Sequence, residues 1–235
     1  RIARQLLDRL EDSHTGVIRP ASLSVEIPRQ RIMQAAVAAE VLGDEVWTKM
    51  PMCEGAGPVT RDCAELILNR TWRPALSITG VDGIPASADG GNVLRPRTVL
   101  KLSLRVPPEA DAKAAAATVK ALLEKDPPYG ASVKFNVIGA NGGWNAPPLA
   151  PWLEKSLETA SLRHFGKPAV YMGEGGSIPF MGMLGAKFPN AQFCITGVLG
   201  PGSNAHGPNE FLDIPTAKRL TLCVADVLAD HAARK

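Results

Sequence analysis

The chain has 235 residues, 45% hydrophobic and 21% charged, the balance of a folded globular protein long enough for one large domain or two modest ones. Lys and Arg number 26 against 23 Asp and Glu, and a net charge of +3 without blocks of like charge excludes a nucleic-acid surface. No apolar run spans a bilayer and no signal-peptide pattern appears, so no membrane partner is expected; the four cysteines lack the paired spacings of a structural zinc site and suit a reducing, cytoplasmic setting.

Arg1 to Leu10 carries an apolar stripe of Ile2, Leu6, Leu7 and Leu10, predicting a helix that ends near Asp12. Neither a capping residue nor an initiator methionine precedes it, so the chain is expected to open inside a helix, as a fragment or processed product. Ser13 to Pro20 reads as a turn. Pro28 to Leu42 predicts a helix with Ile32, Ala35, Ala36, Ala39 and Gly43 inward, Pro51 to Pro58 is turn-rich, and Arg61 to Leu68 predicts a short helix. Residues 13–69 do not fit one layer and read as a helical excursion.

The periodicity then shifts to two. Leu76 and Ile78 mark a strand, and after the loop from Gly80 to Asn92, Leu100, Leu102, Leu104 and Val106 alternate with Lys101, Ser103 and Arg105. Pro107 and Pro108 stop this strand, Asp111 caps a helix from Ala112 to Leu123, and Val133, Phe135 and Val137 predict a further strand. The order is that of a ferredoxin-like βαββαβ unit without its first strand, which leaves an open sheet edge. Beyond Gly139 a linker leads to a helix from Leu149 to Phe165, closed by Gly166, then short strands at Val170–Met172 and Phe193–Ile195. A last helix, from Ile214 to about Asp230, directs Leu220, Val224, Val227 and Leu228 inward, and the whole reads as α/β. Cys194 and Cys223 are expected to be buried thiols, and the spacing of Cys53 and Cys63 permits a bridge.

Two loops that follow expected strands concentrate the candidate chemistry, because ligands collect at strand ends in α/β sheets. In GEGGSIP (residues 173–179), Gly175 and Gly176 let backbone groups approach a substrate and Ser177 offers a hydroxyl at a helix start; the alternative is a plain turn, with Glu174 solvated and Ser177 a cap. In NAHGPNE (residues 204–210), His206 is fenced by Gly, Pro and Asn and is the histidine best placed to meet a metal; the alternative is again a turn. Glu210 and Asp213 are nearby carboxylates, Asp213 being better suited to capping the last helix. His14, His164 and His231 read as surface or helix-end residues. Arg105 can clamp a carboxylate through paired hydrogen bonds or sit solvated on its strand, and Asn92 can serve the turn before that strand.

Taken together, WRPALSITGVDG, GGNVLRPRTVLKLSLRVPP, GEGGSIPF and NAHGPNE resemble the M20 metallopeptidases, in the branch of carnosinase and the cytosolic non-specific dipeptidases. The resemblance implies a ferredoxin-like lid, or dimerisation, domain lacking its first strand over residues 1–138, interrupted by the excursion at 13–69. It also implies the C-terminal part of an α/β zinc-peptidase catalytic domain over residues 139–235. It implies a centre of two divalent metals, zinc or manganese, to which this chain supplies His206 alone; the other ligands and the general base are expected upstream of Arg1, in a missing N-terminal half. Glu174, Gly175, Gly176 and Ser177 match the substrate-contact loop, Arg105 a lid arginine that grips a carboxylate, and Asn92 a polar residue that helps hold the carbonyl oxygen.

The implied activity is hydrolysis of dipeptides by a homodimer joined through the lid, with this chain inactive alone. The alternatives are hydrolysis of small N-acyl amino acids at the same site, or a non-enzymatic dimerisation module. One departure stands out: relatives carry a substrate-contacting histidine in the linker, where this chain reads GANGGWNAPP, leaving Trp144 or Asn145 as replacements.

Overall fold

The computed structural model describes residues 1–50, 52–175 and 179–234. Its first core forms where three amphipathic pieces share a face. Helix α1 (Ile2–Leu7) is shorter than its apolar stripe suggests. The Asp12 carboxylate accepts from the backbone N–H groups of His14 and Thr15, both at 3.0 Å, and turns the chain so that Glu11 bridges Ile18. Leu10 and Ile18 are thereby buried with Leu23 and with Ala115, Val119 and Leu123 of α5 (Ala112–Glu124). As expected, Asp111 caps α5, its carboxylate accepting from the N–H groups of Lys113 and Ala114 at 2.9 and 3.0 Å. Strands β1 (Ala75–Asp82) and β2 (Val99–Arg105) pair antiparallel, Ala75 opposite Arg105 and Asp82 opposite Val99, with an irregularity between Ile78 and Gly80. Leu76, Leu102, Leu104 and Val106 lie against the first core, while Lys101, Ser103 and Arg105 face outward.

The excursion has its own core. Helices α2 (Arg29–Leu42), α3 (Glu45–Thr48) and α4 (Cys63–Thr71) bury Ala35, Ala38, Val46, Ile67, Leu68 and Trp72 together. The inward face of α2 is rotated from the expected one: Ala38 is buried, whereas Ile32 is 46% exposed and Ala36 is exposed. Small alanines rather than the bulkier Ile32 meet α4, which lets the two helices approach closely. The bridge that the spacing of Cys53 and Cys63 permits is not formed, since both thiols are free, and Cys63 opens α4 with its Sγ near the Arg61 carbonyl.

Helices α6 (Pro151–Phe165) and α8 (Ile214–Ala232) form the third packing unit, with Leu153, Ser156, Ala160 and Cys223 buried. Gly166, at φ 68°, ends α6 in the left-handed conformation that glycine adopts without penalty. The buried Ser156 hydroxyl donates to the Asp230 carboxylate at 2.6 Å, and Asp226 receives Arg163 at 2.8 Å and His164 at 2.9 Å. His164 is thus an interhelical partner rather than a surface residue. Cys223 takes the central place expected for Leu220, Val224, Val227 and Leu228, of which Val224 is 39% and Leu228 64% exposed. Cys194, expected to be buried, is exposed.

Three expected strands join no ladder among the described residues: those at 133–137, 170–172 and 193–195. At the first, Val133 and Phe135 still point inward, but α5 satisfies the backbone instead of a neighbouring strand. The Phe135 N–H donates to Glu124 at 2.7 Å and its carbonyl accepts from Lys120 at 3.0 Å. In a split βαβ arrangement the last strand lies beside the first rather than beside the hairpin, and among the described residues no strand lies alongside 133–137.

Candidate functional site

Loop 199–213 presents His206 through a self-contained hydrogen-bond frame. The Asp213 N–H donates to the Leu199 carbonyl at 2.7 Å, the Phe211 N–H to the Ser203 carbonyl at 3.1 Å, and the Gly207 N–H to the Asn204 carbonyl at 2.8 Å. Ser203, buried, donates its hydroxyl to the Gly200 carbonyl at 2.5 Å, and the Asn204 amide donates to the Pro208 carbonyl at 2.6 Å. Asn204, His206 and Asn209 all have positive φ, at 55°, 63° and 56°. Asparagine and histidine are the kinds of non-glycine residue found there most often, though the conformation still costs on the order of 1 kcal/mol. The Glu210 carboxylate accepts from the His206 backbone N–H at 2.8 Å, so Glu210 braces the loop rather than standing free as a ligand. Asp213 caps α8 as expected, accepting from the Thr216 N–H at 2.7 Å, and this hydrogen bond holds its carboxyl below the usual range. The result is an exposed imidazole on a loop held by its own hydrogen bonds.

Among the described residues, no group of three or more His, Cys, Asp or Glu side chains is placed to hold a metal ion. One imidazole does not fit a two-metal centre by itself. It fits the role of a single contributed ligand.

The glycine loop lies against the end of α4. A Cβ on Gly175 would stand 2.6 Å from the Arg70 carbonyl oxygen and 2.9 Å from its Cγ, and one on Gly173 would stand 3.1 Å from Thr71. This close approach is the physical demand for glycine. Arg105, at the end of β2, donates from its guanidinium to the Gly175 carbonyl, so two of the expected substrate contacts meet directly. Glu174 is exposed and turns back, accepting from the Gly175 N–H at 3.0 Å. Gly176 and Ser177 lie outside the described residues.

Asn92 is exposed in the β1–β2 loop, between Gly91 and Val93, which line a shallow concavity of about 370 Å³. Among the described residues, neither Asn92 nor the His206 side chain hydrogen-bonds to Arg105 or Glu174. Burial pushes the Tyr171 hydroxyl's pKa up, reinforced by Glu154 and Glu158, and that hydroxyl has no hydrogen-bond partner among the described residues.

Trp144 and Asn145 are both committed elsewhere. The Trp144 indole packs on α7 (Pro179–Lys187), where a Cβ on Gly185 would be 2.7 Å from its Nε1, and edge-on to Phe193 at 4.9 Å. Asn145 is bonded to Arg31 and Glu109. Arg31 is not legible as a site residue in the sequence, because a guanidinium on a helix in an excursion gives no local signal of a partner 114 residues away.

With this geometry in view, known proteins locate the fold. No family model matches the chain. A cysteinylglycine-S-conjugate dipeptidase of Corynebacterium striatum is 29% identical over 185 residues, covering 74% of this chain and 38% of that protein. Among solved structures, the dipeptidase Dug1p of Saccharomyces cerevisiae superposes with a TM-score of 0.74 at 19% identity, over 99% of this chain and 48% of its own. Human carnosine dipeptidase 1 gives 0.69 at 19% identity, over 99% and 49%. The M20 family metallo-carboxypeptidase Sso-CP2 of Sulfolobus solfataricus gives 0.65 at 15%, over 96% and 51%. The fold is therefore part of the M20 peptidase fold, with a reduced, two-stranded lid-like element. The chain spans 38% of the curated relative and about half of each solved chain.

Proposed function

We propose that this chain is the C-terminal portion of a dinuclear metal-dependent dipeptidase, with residues 1–138 its lid and 139–235 the end of its catalytic domain. The observation that carries the reading is the meeting of Arg105 with the Gly175 carbonyl. It sets a guanidinium from the sheet edge beside a backbone loop, the arrangement needed to hold a peptide's carboxylate and main chain. His206 is the one metal ligand this chain contributes to a pair of divalent ions, zinc or manganese. Glu174 and Gly175, together with Gly176 and Ser177 that follow them in sequence, are assigned to contact the peptide backbone, and Asn92 to help hold the carbonyl oxygen. The remaining ligands and the general base lie outside this sequence, so the chain alone is inactive. The working protein is a homodimer joined through the lid and acts in the cytoplasm.

Hydrolysis of N-acyl amino acids is the nearer alternative, because the same carboxylate clamp serves both substrates. A purely binding or dimerisation module is the other. Zinc titration of the chain tests the metal assignment. One weak site, lost in His206→Ala with the fold intact, is the expected result; zinc binding unaffected by that substitution contradicts it. A panel of dipeptides and N-acyl amino acids offered to the whole protein separates the two enzymatic readings, and hydrolysis confined to acyl amides would reject the dipeptidase.

A further inference from the structure

Arg31 spends its entire guanidinium on one junction. Its Nε and Nη2 donate to the Asn145 amide oxygen at 3.1 and 2.9 Å, Nη2 donates also to the Ala146 carbonyl, and Nη1 donates to Gln34 at 2.8 Å. The other end of the Asn145 amide donates to the Glu109 carboxylate at 2.7 Å. An amide is the group this position needs, since one side faces a donor and the other an acceptor. Glu109 lies in the loop between β2 and α5, so the junction ties the excursion helix α2, the sheet-bearing part and the 139–150 passage into one network. Burial pulls the Arg31 pKa down, opposed by the Glu109 charge.

The neighbouring residues extend the tie. A Cβ on Gly143 would lie 2.7 Å from the Pro108 Cα, so the passage is pressed onto the loop that follows β2. Trp144 packs on Gly185 of α7 and on Phe193. Helix α7 begins at Pro179, directly after the glycine loop that Arg105 touches.

We propose that Arg31, Asn145 and Glu109 form a clasp that fixes the passage between the sheet-bearing part and the helical part, and through Trp144 sets the position of α7. The three are positioning residues, and Asn145 is not a stand-in for a substrate-contacting side chain. The consequence for substrate binding rests on the reading of the glycine loop and Arg105 given above; the clasp itself does not.

The test is fluorine NMR of the chain labelled with 5-fluorotryptophan, whose four tryptophans give one resonance each. Trp152, beside His231, and Trp72, in the α2–α4 core, report on the rest of the fold. In both Arg31→Ala and Asn145→Ala, the Trp144 resonance is expected to narrow and move toward the position of free tryptophan while Trp72 and Trp152 stay in place. Glu109→Gln, which keeps an acceptor for Asn145, is expected to retain the wild-type Trp144 signal. A Trp144 resonance unchanged in both alanine variants overturns the proposal, as does a collapse of all four resonances together in Asn145→Ala. Because the readout is the Trp144 environment and not turnover, failure of the dipeptidase reading leaves this result interpretable.

Discussion

His206 is held at φ 63° by a loop whose hydrogen bonds are complete without its imidazole. Backbone strain of this kind persists where the surroundings impose it, and a ring left free of internal duties is available to a ligand. His206→Gly is accordingly expected to leave Tm unchanged or higher while removing zinc binding; calorimetry with zinc titration checks both, and a large fall in Tm would make His206 structural. Gly200 is the contrasting case. At φ +88° a Cβ would stand 2.6 Å from the Asp213 Cβ, so Gly200→Ala forces apart the loop and the cap of α8. It is expected to cost about 1–3 kcal/mol, read as a lower urea midpoint. The setting of His206 between Gly, Pro and Asn was legible in the sequence because those residues have local conformational meanings. The bracing role of Glu210 was not, because a carboxylate four residues away reads equally as a ligand.

Among the elements, helices were legible wherever a local cap and an apolar stripe agreed. Asp62, Asp111 and Asp213 each accept from the first-turn N–H groups of the helix they precede. Strands were legible only as faces: alternation says which side chains point inward but not which strand lies alongside, and among the described residues segments 133–137, 170–172 and 193–195 lack that partner. The α6–α8 pair illustrates the same limit, since its polar contacts join residues more than sixty apart. Within it, the hydrogen bond from His164 holds the Asp226 carboxyl below its ordinary value of 3.8, with the Arg163 charge acting in the same direction. A lowered carboxylate pKa stabilises the fold above the unfolded value and loses that contribution as pH falls through the folded one. The wild-type advantage over Asp226→Asn is therefore expected at neutral pH and to shrink below about pH 4. Urea midpoints measured across that range test this, and a difference independent of pH would contradict it.

At the scale of the whole molecule, the chain exposes 16352 Å². A compact monomer of 24.9 kDa exposes about 10,000 Å². Val170, Met172, Ile195 and Val198 are 36%, 38%, 60% and 48% exposed on or near the unpaired strand segments, and among the described residues the two-stranded sheet is open at both edges. Surfaces of this kind ask for partners; the open edges of β1 and β2 lie in the part proposed as the lid, and on that proposal a lid-mediated homodimer is expected for the whole protein, which sedimentation at several concentrations checks and a strictly monomeric protein would contradict. No helix among the described residues is long and apolar enough to cross a membrane. The α/β character and the four ordered motifs were legible from sequence because they are local. The separation of the chain into three packing units, and the clasp that joins them, depends on contacts between distant residues and was not. On the proposed function, this chain contributes part of a dipeptidase site centred on His206. Steady-state dipeptide hydrolysis with added zinc or manganese tests it most directly. No turnover is expected from the chain alone, and turnover that His206→Ala abolishes is expected once the upstream half is joined to it. Hydrolysis by the chain alone that survives His206→Ala would contradict it.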